Sequence, residues 1–191
     1  MRINVTIRML LTMVLFQSCQ SQTSFDLFKM KFSKKIDNMI EPNNLSLEDG
    51  KSEALILFGY DRFQTSSEGL LLFDGISMSG NFKEKNNNVI LHYSLEDKII
   101  SMYELNLYTE DKAQILKETL NKKLGKPNHS SNNNDGLEMT VWKDDSPNIY
   151  YFLMSYNEEG QSRKTELTVI DMKNERANEW ISFRSFNYYM D

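Results

Sequence analysis

The chain has 191 residues, of which 22 are basic and 27 acidic, so its formal net charge is -5. This acidic balance argues against nucleic-acid binding, which requires a basic surface. A single cysteine excludes a disulfide within the chain. Hydrophobic residues make up 40% of the chain, which is enough for a core. The length fits one domain of ordinary size.

The first 18 residues have the layout of a secretory signal peptide. Arg2 and Arg8 are their only charges, and a largely apolar run follows at residues 9–16. Ser18 supplies a small residue directly before a cleavage site. The apolar run is less than half of the roughly 20 residues that a membrane-spanning helix needs. We therefore predict that residues 1–18 are removed.

The sequence FQSC at residues 16–19 resembles the lipobox of bacterial lipoproteins. The resemblance covers residues 1 to about 24. It implies that Cys19 receives a diacylglycerol group, that the signal is cut directly before it, and that in many members the new amino terminus is acylated. Phe16 and Gln17 depart from the commonest pattern, which has a leucine and a small residue there. A plain secretory signal with an incidental cysteine, or an uncleaved anchor, are the alternatives.

Lipidation at Cys19 would attach the protein firmly to a membrane. Each buried methylene contributes about 0.8 kcal/mol, and two or more acyl chains anchor stably. The polar segment QSQTS that follows is typical of a short tether. It lacks the aspartate that marks inner-membrane retention in some Gram-negative lipoproteins, which favours the outer membrane. We divide the chain into a signal peptide at 1–18, a lipidated tether at 19–24 and one globular domain at 25–191.

The globular domain is predicted to begin with a helix. Ser24 is a capping residue, Pro42 ends the segment, and apolar residues recur between them at steps of three and four. This stripe consists of Phe25, Phe28, Phe32, Ile36, Met39 and Ile40. Beside a lipid anchor it could contact the membrane surface. We favour packing on the domain's own core, which is the usual role of such a stripe.

Seven strands are predicted, in two groups separated by a second helix. They are segments rich in branched and aromatic residues at 53–60, 69–76, 88–95, 98–109, 137–143, 148–156 and 165–172. The helix follows Thr109 and ends before Gly125, with an acidic first turn and a basic last turn. Residues 174–190 are predicted as a C-terminal helix, with an extended aromatic segment as the alternative. The expected fold is a single α+β domain with a largely antiparallel sheet of about seven strands.

Several predicted strands are apolar on both faces, which indicates a sheet covered on both sides. Residues 148–156 show this most clearly. The first two helices can cover one face. The second face is covered by a curl of the sheet, by the C-terminal tail, or by a protein or apolar ligand, and a cavity against Tyr150, Phe152, Met154 and Tyr156 would indicate the last.

No catalytic residues, metal site or cofactor is predicted. His92 lies in a predicted strand and His129 in a polar loop, and neither has a second ligand at zinc spacing. Ser77 departs from a nucleophile elbow, because Ser79 stands where the motif needs glycine and strands flank it on both sides. The segment SSNNNDG has Trp142 where a calcium loop needs an acidic twelfth residue.

The sequence thus favours a lipid-anchored cell-envelope protein with a non-catalytic binding or interaction domain. Its expected contacts are the membrane, through Cys19, and a protein or apolar ligand on the sheet face, with no nucleic acid. One alternative is an envelope hydrolase of unrecognised type that uses His92 with Asp, Glu or Ser. Another is a periplasmic inhibitor or immunity protein.

Overall fold

Eleven strands and three helices appear in the computed structural model, which describes residues 25–47, 59–133, 136–146, 148–157, 163–175 and 177–190. In chain order the strands are β1 Tyr60–Thr65, β2 Leu72–Phe73, β3 Ile76–Ser77, β4 Asn81–Phe82, β5 Lys85–Asn86, β6 Asn88–Ser94, β7 Ile100–Leu107, β8 His129–Asn132, β9 Glu138–Asp144, β10 Ile149–Asn157 and β11 Arg163–Asp171. The α-helices are α1 Asp37–Ile40, α2 Glu110–Leu124 and α3 Ala177–Phe183. Short 3-10 turns lie at Leu27–Lys29, Glu41–Asn43, Glu68–Leu70 and Phe186–Tyr189.

Seven of these strands form one antiparallel sheet, in the order β1-β6-β7-β11-β10-β9-β8. The last strand in the sequence, β11, therefore lies at the centre of the sheet, between β7 and β10. Two small hairpins, β2–β3 and β4–β5, stand apart from it. The predicted α+β domain with a seven-stranded antiparallel sheet is confirmed.

Both faces of the sheet are buried, each in a separate apolar cluster. The first face, which we call the α2 face, packs against α2 and the N-terminal segment and contains Trp142. The second, which we call the tail face, packs against α3 and the turn at Phe186–Tyr189 and contains Trp180. Of the three expected coverings for the second face, the C-terminal tail is the one observed.

The predicted N-terminal helix is confined to the single turn α1. Before it, the chain forms the 3-10 turn at Leu27–Lys29 and then runs beside the sheet, where Lys35 and Ile99 form an isolated bridge. The backbone N–H of Ile36 donates to the carbonyl of Lys98 at 2.9 Å. Hydrogen bonds to the sheet therefore replace those of a longer helix, and the proposed Ser24 cap lies outside the described residues.

Five of the predicted strands are confirmed. They are β6, β7, β9, β10 and β11 of the main sheet. The predicted strand at 69–76 is wrong, because this segment forms a 3-10 turn and the small hairpin. The predicted strand at 53–60 falls almost entirely outside the described residues. The polar loop predicted around His129 is also wrong, since residues 129–132 form the edge strand β8. Helix α2 has the predicted bounds.

Candidate functional site

Four polar side chains interrupt the tail face where β7 and β11 lie side by side. Strand alternation places Glu104 and Asn106 of β7 on this face together with Glu166 and Thr168 of β11. Glu104 lies opposite Thr168, and Asn106 lies opposite Glu166. The four residues form a square with the carboxylates on one diagonal, and none is more than 5% exposed. We call them the polar square.

Three neighbouring side chains bind the two carboxylates of the polar square. His92 of β6 hydrogen-bonds through Nε2 to Glu104 Oε1 at 2.9 Å. Arg184, which follows α3, donates from Nη2 to Glu104 Oε1 and from Nη1 to Glu166 Oε1, the latter at 3.1 Å. Lys164 of β11 donates to Glu166 Oε2 at 3.1 Å. One guanidinium thus bridges two carboxylates that are each bound by a second side chain.

Burial and ion pairing together fix the charges of this cluster. Burial by itself would raise the pKa of Glu104, but hydrogen bonding to His92 and the charge of Arg184 lower the pKa to about 2. Burial would lower the pKa of Lys164 and of Arg184, yet Glu166 and Glu104 respectively raise each pKa above its ordinary value. Glu104 is therefore ionised, and both cations stay charged, at neutral pH.

His92 is oriented by its carboxylate partner and buried beneath the tail. The ionised Glu104 can only accept, so Nε2 of His92 carries the proton of their hydrogen bond. Its Nδ1 atom has no hydrogen-bond partner within the described part of the chain. The ring of Trp180 packs edge-on at 5.1 Å, and His92 is 1% exposed. A substrate could reach Nδ1 only after α3 had moved.

Aromatic packing fills the other half of the tail face. The ring of Phe186 stacks on Phe152 with centroids 4.2 Å apart, and Tyr150 stacks on the same ring at 5.8 Å. Phe152 is completely buried, while Tyr150 and Met154 are half-buried. The tail therefore occupies the position at Phe152 where the sequence raised the question of a cavity.

A cleft of about 340 Å³ lies on the α2 face, between the first turns of α2 and strands β9 to β11. Glu138 on its rim pairs with Arg163 at 2.9 Å and with Lys117 at 4.0 Å. On its floor the hydroxyls of Ser155 and Thr165 hydrogen-bond to each other at 2.9 Å. Five of the polar residues that line the cleft thus pair with one another, namely Lys117, Glu138, Ser155, Arg163 and Thr165.

Of the remaining residues considered from the sequence, Ser77 and His129 lie away from the polar square. Ser77 lies in the small hairpin, where its Oγ accepts from the Ser79 backbone N–H at 3.3 Å and strand β4 follows instead of a helix. His129 lies in β8 with its ring 5.4 Å from that of Tyr189. Cys19 and Asp135 of the calcium-like segment lie outside the described residues.

Within the described ranges, no group of three or more His, Cys, Asp or Glu side chains is placed to hold a metal ion. None of the helices in these ranges has the length and apolar character needed to cross a membrane. Comparison of the chain with models of protein families, with curated proteins and with solved structures found no match.

Sequence reasoning singled out His92 but missed Glu104, Glu166 and Arg184. Alternation in MYELNL and TELTVI places each glutamate on the more polar side of its strand, so a signal was present only in combination with the expectation that both faces of the sheet are covered. Glutamate is almost never fully buried unless it is paired. The two positions therefore imply a cationic partner, although nothing local in the sequence identifies Arg184.

Proposed function

We propose that this chain is a lipid-anchored protein of the bacterial cell envelope, attached through Cys19, with the outer membrane as its location. The observation that carries the proposal is the sequence FQSC directly after a short apolar run. The described fold begins at Phe25, and Asp26 already pairs with Leu72 of the domain. Six residues span at most about 20 Å, so an acylated Cys19 would hold the domain close to the lipid surface.

The domain is proposed to act by binding, without catalysis. The two carboxylates of the polar square are buried and are bound by His92, Lys164 and Arg184, which suits recognition better than proton transfer. The C-terminal tail also presents aromatic surface, since Phe183 is 52% and Tyr188 76% exposed. A protein or an apolar ligand that approaches the tail face would meet this tail first.

A hydrolase that uses His92 is the second candidate. It is favoured by the hydrogen bond between His92 and Glu104, because a carboxylate that orients a histidine is part of many hydrolytic sites. A substrate screen on the full chain and on His92→Gln separates the two functions. Hydrolysis that disappears in His92→Gln, with the fold retained, would favour the hydrolase; no turnover by either protein would favour binding.

The anchor is tested by intact-mass measurement of the membrane fraction. The wild-type chain is expected to begin at Cys19 and to carry the added mass of a diacylglycerol group. Cys19→Ser should lack that mass, whereas Ser21→Ala, a matched change in the tether, should match wild type. An unmodified mature chain, or one that begins at Met1, would contradict the proposal.

A further inference from the structure

Arg184 does not use all the hydrogen-bonding capacity that the polar square offers. Asn106 Oδ1 and Thr168 Oγ1 have no partner within the described part of the chain, although these residues are only 4% and 1% exposed. Buried polar atoms of this kind are normally hydrogen-bonded. Both atoms stand beside the carboxylates that hold the guanidinium, because they occupy the other diagonal of the square. Arg184 Nε is likewise buried without a partner among the described residues, so the guanidinium, as the tail positions it, leaves one of its own donors and two acceptors of the square unused.

The carboxylates of the square are positioned independently of Arg184. His92 holds Glu104 from β6, and Lys164 holds Glu166 from within β11. All four of these residues belong to strands of the main sheet, whereas Arg184 comes from the tail. The two carboxylates lie on one diagonal of the square, and this arrangement matches the planar fork of a guanidinium, which can donate to both at once.

Arg184 reaches the square from the surface side. Its side chain is 25% exposed, in contrast to the 6% of the Glu104 and Glu166 side chains. It follows α3, a helix of seven residues, and the next residue, Ser185, has a left-handed backbone with φ 58°. The tail thus places an arginine into the sheet in the way that an arginine from another molecule would enter.

We propose that the polar square is a recognition site for the guanidinium group of an arginine side chain on a protein partner, and that Arg184 is its intramolecular occupant. The partner's arginine replaces Arg184 when the tail lifts. Removal of Arg184 without a replacement leaves two buried carboxylates without their shared counter-ion, so the exchange requires a cation with several donors. This inference rests on the proposed binding function but not on acylation of Cys19.

The test is calorimetric titration of the full chain, purified in detergent, with N-acetyl-arginine amide. Arg184→Ala vacates the site and is expected to bind this probe about tenfold more tightly than wild type. Adding Glu166→Gln should abolish the gain, because one of the two carboxylates loses its charge. Arg163→Ala, which removes an arginine from the cleft on the α2 face, should bind as wild type does.

Specificity is tested with N-acetyl-lysine amide, which should bind Arg184→Ala about tenfold more weakly than the arginine probe because it lacks the fork. Equal binding of the two probes, or no gain in a folded Arg184→Ala protein, would overturn the proposal. If Arg184→Ala does not fold, Arg184→Lys should bind the arginine probe about threefold more tightly than wild type does. The absence of this gain would also overturn the proposal. The mass of the same sample reports acylation separately, so a failed anchor and a failed site are distinguishable.

Discussion

Glu104 is a carboxylate inside a β-sheet, and the fold retains it because His92 and Arg184 both bind it. Glu104→Gln would remove the charge that both partners face. Breaking one partner of a buried ion pair costs about 3–5 kcal/mol, so we expect a loss of this size in the free energy of unfolding, measured with urea. Glu138→Gln breaks a pair whose glutamate is 36% exposed and should cost less than about 1 kcal/mol. Equal losses of unfolding free energy in the two variants would contradict the prediction that a buried ion pair contributes more than an exposed one.

Acid should weaken the fold through the same residue. The pKa of Glu104 falls from its ordinary 4.5 to about 2 on folding. A lowered pKa in the folded state means that the stabilisation is complete above pH 4.5 and is lost as the pH falls through 2. Urea unfolding between pH 5 and pH 2 should therefore show a steeper decline for wild type than for Glu104→Gln. Parallel curves would mean that Glu104 does not titrate in this way.

The candidate site was only partly predictable at the level of residues. Strand alternation in the sequence is sufficient to place Glu104, Glu166 and His92 on one face. It does not determine which strands are neighbours, and the contact between β7 and β11 joins residues far apart in the chain. Arg184 could not be assigned for the same reason, since its partners depend on where the tail packs.

Among the elements, the tail turn at Phe186–Tyr189 closes the tail face. Its Phe186 side chain is 2% exposed and stacks on Phe152. Phe186→Ala should lower the free energy of unfolding by about 3–5 kcal/mol because it leaves a cavity against a fixed strand. Tyr188→Ala, on the same turn but 76% exposed, should change it by less than about 0.5 kcal/mol. Urea unfolding of the two variants measures the difference, and a similar effect of both would show that the turn does not seal the sheet.

The elements also show where sequence periodicity is sufficient and where it is not. Helix α2 is predicted to the residue, because its apolar stripe, dipole charges and terminal glycine agree. The N-terminal stripe correctly identifies core residues, since Ile36, Met39 and Ile40 are at most 2% exposed. Its conformation is set by backbone hydrogen bonds to the sheet, which periodicity does not report. Strand β8 is missed because its HSSN sequence has no apolar alternation.

At the scale of the whole molecule, the two apolar clusters share one sheet and should unfold together. The chain has two tryptophans, with Trp142 in the cluster of the α2 face and Trp180 in that of the tail face. Trp142→Phe and Trp180→Phe therefore leave one fluorescent reporter on each side. We expect each variant's fluorescence transition in urea to coincide with its own circular dichroism transition, as for a two-state domain. A tail-side transition at lower urea would show that the tail detaches first.

The central place of β11 has a consequence for the order of events during synthesis. The strands made before it form two groups, β1-β6-β7 and β10-β9-β8, and only β11 joins them. A ribosome must therefore translate the chain through residue 171 before the sheet can be continuous. Contacts between segments distant in sequence slow folding. Under the proposed export to the cell envelope, the main sheet would stay incomplete until β11 had been made.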